Sequence, residues 1–426
     1  MTSPNKRPRR APPGLIARLL GPGLVTGAAD DDPSGIATYS QAGAQFGFGL
    51  LWTIFLTTPF MIAIQLVSAM IGRVTGQGIA ANVKQFYPRP FLIVLVALLV
   101  VANTINIAAD FAAMGEALYL VVGGLKHEHA LIFAAVSVLL QVFVPYHRYS
   151  PMLKGLTLVL FLYVGVVFTV EVPWGRVALA TILPKIRFDY DYLVLIVAVL
   201  GTTISPYLFF WQASQEVEEQ NAAGHFGPLA IGRAREQLHR IKVDTYLGMG
   251  FSNVVAYFIM LTTAVTLHRA GITEIDSASQ AAAALRPIAG EFAFVLFAAG
   301  IIGTGMLAIP VLAGSAAYAV AETLQWRSGL ALKPLEARGF YAIIVAAIVI
   351  GAVIDFAPID PIKALFWSAV INGIVALPIM VVMMLLASRQ EAMGPFVVSR
   401  RLKRLGWLAT CTMGAMVILL LYTSYA

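Results

Sequence analysis

Cysteine is almost missing from this chain, charge is scarce, and no stretch is both polar enough and long enough to build a soluble domain. The single cysteine, Cys411, lies in the last apolar run, which excludes a disulfide framework and a cysteine metal cluster. Charged residues make up 12% of the 426 residues, about half of the roughly 25% usual in soluble domains. The histidines, His127, His129, His147, His225, His239 and His268, all fall between apolar runs or at their rims, so none is placed as a mid-membrane proton carrier. The basic start, with Lys6, Arg7, Arg9 and Arg10, runs into prolines rather than an apolar core, so a cleaved signal peptide is not expected.

What is present is apolar sequence, 59% of the chain, in runs that recur from end to end. A span needs about 20 mostly apolar residues. Eleven such spans are read, at about 23–46 (interrupted), 50–71, 91–121, 130–145, 153–172, 192–215 (interrupted), 244–266, 288–320, 339–354, 362–386 and 406–424. The expected fold class is therefore all-α membrane, with residues 1–426 forming one polytopic domain.

The basic residues test this layout. With a cytoplasmic N-terminus, 22 of the 29 lysines and arginines fall on inside segments, among them Arg18, Arg73, Lys154, Arg233, Arg240 and Arg338. That bias follows the positive-inside rule, and an odd number of spans puts the C-terminus outside. The expected location is the cytoplasmic (inner) membrane. The net charge of +7 thus reads as a topology signal in contact with a lipid bilayer, and no nucleic-acid partner is expected.

Two spans are interrupted in a corresponding way. The first carries GAADDDPSG, with Asp30, Asp31 and Asp32 beside Pro33, Ser34 and Gly35; the sixth carries GTTISPY, with Thr202, Thr203, Ser205, Pro206 and Tyr207. Carboxylates within a membrane span mark a functional site by default. Gly/Pro-interrupted spans at equivalent places in two halves point to a transporter binding site, where unwound carbonyls can coordinate a cation. The halves run over about 20–172 and 190–386, with the helix at 406–424 outside the repeat.

Other polar residues within spans are few: Gln65, Asn103, Asn106, Asp110, Glu116, Gln212, Asn253 and Asn372. Asn106 and Asp110 are spaced i,i+4 and share a helix face. A lone amide most often makes an interhelical hydrogen bond, whereas Asp110 asks for a partner or a wet path. Gly303, Gly305, Gly314 and Ser315 read as close-packing positions. Glu216, Glu218 and Glu219 read as solvated helix-end charges.

The run from GPGLVTGAADDDPSG through IQLVSAMIGRVTGQGIA, together with GTTISPYLFFWQ, resembles the Nramp family of divalent metal-ion transporters. That resemblance implies a LeuT-like fold, ten spans as a five-plus-five inverted repeat with spans 1 and 6 broken, plus one extra span here. It also implies import of manganese, iron and related ions, commonly coupled to protons. DPSG matches the family's Asp-Pro-Gly-Asn signature, which makes Asp32 the metal-binding carboxylate and the Ala29 backbone carbonyl a further ligand.

The departures are as informative. The family's asparagine falls on Gly35; its Met-Pro-His becomes Ser205-Pro206-Tyr207; Gln212 replaces a histidine; and Ala113 stands where a glutamate is expected after Asp110. Thr202 keeps its backbone-carbonyl role, and Ser205 substitutes a hydroxyl for the thioether. Carboxylate, carbonyl, hydroxyl and water suit magnesium, calcium and manganese, whereas sulfur favours softer transition metals. This pattern resembles the Nramp-related magnesium-transporter branch.

The expectation is alternating-access transport of Mg2+, with Mn2+ also accepted and weak proton coupling. No cofactor is expected, the metal being cargo, and the expected state is a monomer. Asp30, Asp31, Ser34, Gly35, Tyr207, Gln212, Gln65 and Asn372 are candidate pathway or hydrated-ion contacts; Asp110 and Asn106 are candidates for a proton or structural role. The alternatives are an ordinary proton-coupled Mn2+/Fe2+ importer, a LeuT-fold carrier of an organic solute, and a non-transporting membrane receptor.

Overall fold

The structure, a computed structural model, describes residues 21–145, 148, 155, 158–357 and 360–425. Lys6, Arg7, Arg9, Arg10, Arg18, Lys154 and His147 lie outside the described residues, as does part of the fifth expected span.

The described chain is all α-helical, and its elements begin and end at the punctuation visible in the sequence. The first broken span is α1 (Pro22–Asp30) and α2 (Pro33–Phe46), separated by Asp31 and Asp32. Next come α3 (Leu51–Thr75), which stops at the left-handed Gly76, the short α4 (Ile79–Phe86), and α5 (Arg89–Val122), which ends at Gly123. Then follow α6 (Lys126–Phe143), α7 (Phe161–Val167) and α8 (Trp174–Ile182). The second broken span is α9 (Tyr190–Thr203) and α10 (Pro206–Ala222), separated by Ile204 and Ser205. The remaining α-helices of more than four residues are α11 (Ile231–Thr266), α12 (Ala278–Ala283), α13 (Ala293–Leu324), α14 (Arg338–Ile354), α15 (Pro361–Ala387) and α16 (Arg400–Tyr425). The seventh span starts well before the expected 244, because a polar helix from Ile231 runs unbroken into the apolar part.

Seven helical segments among the described residues are long and apolar enough to cross a membrane by length and composition. One of them, Pro33–Thr75, joins the second half of the first expected span to the whole of the second. Two shorter apolar helices, Leu158–Val167 and Arg338–Ile354, stand where the fifth and ninth spans were expected.

Burial orders these helices from centre to edge. The apolar window of α9–α10 is 100% buried and that of α16 only 33%, so the broken span is central and the last helix peripheral. Phe55, Val101, Phe143, Val353 and Ile418 point outward, as expected of surfaces meeting lipid rather than water. Packing also pairs the two halves crosswise: α1 and α2 lie on α11, while α10 lies on α3.

Small residues permit the closest of these contacts. A Cβ on Gly27 would collide with the Gly248 backbone, so α1 meets α11 main chain to main chain. Gly27→Ala should therefore cost about 1–3 kcal/mol through overpacking, because backbone cannot turn aside as a side chain can. Thermal unfolding in detergent checks this; an unchanged midpoint would refute the close approach.

Candidate cation site at the crossing of two helix breaks

Both breaks are two residues long, and both second halves begin with proline at the first helical position. Proline has no amide hydrogen to lose there, and its fixed φ suits a helix start. Asp32 is the N-cap of α2: its Oδ1 accepts from the Gly35 amide at 2.8 Å and from the Ser34 hydroxyl at 2.7 Å. Ser205, the N-cap of α10, works backwards. Its single hydroxyl hydrogen is shared between the carbonyls of Gly201 and Thr202, both at 2.8 Å, which the break leaves without helical partners.

The two breaks cross in the buried centre. The Tyr207 hydroxyl, at the start of α10, donates to the Ala29 carbonyl near the end of α1 at 3.2 Å. At the start of α2, a Cβ on Gly35 would lie 3.0 Å from Thr202 Oγ1 and 3.4 Å from the Tyr39 ring. An asparagine at 35 would press on the Thr202 hydroxyl, which would have to give slightly, and would stand in ordinary contact with the Tyr39 ring. Tyr39 and Thr203 hydroxyls meet at 3.1 Å and tie α2 to α9 one turn further on.

A polar chain continues from Asp32 into the helices opposite. Asn106 on α5 donates from Nδ2 to Asp32 Oδ2 at 3.1 Å and to Asp110 Oδ2 at 3.2 Å, while its Oδ1 accepts from Asn372 on α15 at 2.9 Å. Asp32, Asn106, Asp110 and Asn372 are all essentially inaccessible, and Asp110 Oδ1 has no hydrogen-bond partner among the described residues. Ala29, Thr202, Ser205 and Tyr207 are as deeply buried. Among the described residues no three His, Cys, Asp or Glu side chains group so as to hold a metal ion. An ion here would have to be held by a carboxylate together with carbonyl and hydroxyl oxygens.

The other candidates lie elsewhere. Asp30 and Asp31 reach α11, where both meet Ser252. Gln65 donates to the Leu208 carbonyl at 3.0 Å, an interhelical bond onto α10. Gln212 accepts from Thr26 on α1 at 2.5 Å and donates to Glu216 at 3.3 Å. Glu216 corrects an expectation: it is fully buried, not solvated, and pairs with Arg73 of α3 and Arg240 of α11. Glu219 is the partly exposed end of this network, and Glu218 accepts from Tyr318 and the Leu330 amide. Asn103 and Asn253 make interhelical bonds, to Leu312 and Ser315 and to Met61.

Sequence reasoning missed one stripe. Asp244, Gly248 and Ser252 recur every four residues on α11. Asp244 caps α1 by accepting from the amides of Gly21, Gly23 and Leu24 at 2.8, 2.6 and 3.1 Å. Gly248 admits α1 backbone, and Ser252 receives the acids at its end. The i,i+4 register of Asp, Gly and Ser was the available signal.

Residues 23–423 match the family described as natural resistance-associated macrophage protein-like, Nramp. The chain belongs to the Nramp family. A structure of the Eremococcus coleocola manganese transporter, in complex with an aromatic bis-isothiourea substituted compound, superposes with a TM-score of 0.74 at 17% identity, covering 98% of this chain and 89% of that one. A mutant structure of the same transporter gives a TM-score of 0.71 at 18% identity, covering 96% and 87%. Mhp1, a nucleobase-cation-symport-1 family transporter in a closed conformation, matches more loosely, with a TM-score of 0.52 at 13% identity over 98% and 96%. The fold is therefore an all-α, multi-spanning membrane fold of the LeuT and Nramp type. As an Nramp member the chain is a membrane transport protein and not an enzyme.

Proposed function

We propose that this chain carries divalent metal cations across the membrane by alternating access, with manganese as a transported ion and magnesium admitted by the same site. The observation that carries the reading is the crossing of the two breaks, where the Asp32 carboxylate shares a buried centre with carbonyl and hydroxyl oxygens. The ligands in this reading are Asp32, Ser205 and the backbone carbonyls of Ala29 and Thr202. Ser34, Gly35, Tyr207 and Asn372 line the space around a partly hydrated ion. The residues alone put magnesium first. The manganese transporters that share the fold favour manganese, and an oxygen-only donor set suits both ions.

The architecture in this reading is eleven spans with a five-plus-five inverted repeat. It is supported by the matched two-residue breaks and the crosswise packing of α1 and α2 on α11 and of α10 on α3. The N-terminus is cytoplasmic, the C-terminus outside, and the protein acts as a monomer in the cytoplasmic membrane. An inside-negative potential then favours entry of a dication by about 4.6 kcal/mol per 100 mV, at about 2.3 per charge, so accumulation does not require protons.

One observation favours the second reading, an ordinary proton-coupled manganese or iron importer: Asn106 links Asp32 directly to a second buried carboxylate, Asp110. Proteoliposome uptake of manganese, with internal pH followed in parallel, separates the two. The expected result is manganese uptake that excess magnesium suppresses, with no matching acidification. Uptake indifferent to magnesium and accompanied by inward proton flux would replace the first reading with the second.

A further inference from the structure

We propose that Asp30, Asp31 and Ser252 form a second binding site for a hard divalent cation, where the end of α1 meets α11. The proposal rests on the divalent-cation reading above. It starts from the way α1 lies on α11. With Asp244 holding the start of α1 and Gly248 in contact with its backbone, the end of α1 arrives one turn further along α11, at Ser252. Ser252 Oγ lies 2.5 Å from Asp30 Oδ2 and 3.2 Å from Asp31 Oδ1. All three residues are at most 2% exposed.

The donors do not match the acceptors. A serine hydroxyl has one hydrogen to give, and two carboxylates converge on it. Asp30 Oδ1, also buried, has no hydrogen-bond partner among the described residues. Among the described residues no lysine, arginine or histidine makes an ion pair or hydrogen bond with either acid. Asp32 offers no relief, since its oxygens are engaged by Ser34, Gly35 and Asn106. Carboxylates held ionised in a buried place without a cation are strongly disfavoured. Held ionised, these two call for two positive charges, and a single dication supplies both.

The donor chemistry limits the class of ion. Two carboxylates and a hydroxyl are hard oxygen ligands, suited to magnesium, calcium or manganese. Because the two positions adjoin the same two-residue break, ions held at both would repel each other. The second equivalent should bind at least about tenfold more weakly than the first.

The test is binding stoichiometry on the purified full-length chain, measured by equilibrium dialysis against Mn2+ with elemental analysis. The wild-type chain should saturate at two manganese ions per chain, and Asp32→Asn at one. The double variant Asp30→Asn/Asp31→Asn should also retain one. Ser252→Ala, a milder change that leaves both carboxylates, should weaken one site about tenfold and spare the other. If the double variant fails to remain monodisperse, Ser252→Ala carries the test alone. Saturation of the wild-type chain at one ion, or a Ser252→Ala isotherm identical to wild type, would overturn the proposal and leave the acids sharing protons instead. Parallel uptake measurements keep the two readings apart. One ion per chain with uptake that depends on Asp32 sinks the second site only, whereas two ions per chain with uptake indifferent to Asp32 sinks the transport assignment of Asp32 only.

Discussion

Asp32→Asn is expected to abolish divalent-cation uptake, by a factor on the order of 100 or more, while leaving the protein folded. The asymmetry follows from the two jobs this residue does. As N-cap of α2 it accepts hydrogen bonds from Gly35 and Ser34, and asparagine caps a helix about as well as aspartate. As the proposed charged ligand it has no such substitute, since an amide carries no charge for a dication in a buried, low-dielectric centre. Each 1.4 kcal/mol is a factor of ten, and losing the direct charge partner of an ion costs several such steps. Asp32→Ala removes both roles and should also lower the thermal midpoint by the worth of a cap, about 1 kcal/mol. Uptake into proteoliposomes, read beside thermal unfolding of the same preparations, separates charge from cap. Wild-type uptake by the Asn variant would remove Asp32 from the site.

The breaks themselves were legible because their causes are local. Proline after a short polar group sets the start of α2 and of α10 whatever surrounds them, and the two-residue gaps lie where DDDPSG and GTTISPY put them. The Asn106–Asp110 pair was legible for the same reason, as an i,i+4 spacing on one helix. What those groups touch was not. Asp32 meets Asn106 across 74 residues, and Asn372 meets Asn106 across 266, contacts with no trace in periodicity. The three adjacent acids looked alike in sequence, yet the helix ends on Asp30 and restarts after Asp32, so Asp30 and Asp31 face α11 while Asp32 faces α5. Glu216 was misread because a glutamate beside a polar helix end normally meets water. Here α3 and α11 each bring an arginine onto it.

That buried network carries the second large prediction. Glu216→Ala is expected to destabilise the protein by about 3–5 kcal/mol, the usual cost of removing one partner from a buried ion pair. The loss should exceed that of Arg73→Ala, because Arg73 leaves Glu216 with Arg240, whereas Glu216 leaves Arg73, among the described residues, with the half-exposed Glu219 alone, shared with an Arg240 that also has Asp244 nearby. Gln212 loses its Glu216 acceptor in the same step, and Gln212 is what holds Thr26 of α1. Glu216 therefore joins α1, α3, α10 and α11 through one carboxylate. A double-mutant cycle over Glu216 and Arg73, read by thermal unfolding in detergent, isolates their coupling from the loss of packing. Strong coupling with a Glu216 deficit larger than the Arg73 deficit is the expected outcome. Equal deficits that simply add would mean that the arginines find water or lipid headgroups without this glutamate, and that α1 is held by Asp244 and the Gly27–Gly248 contact alone.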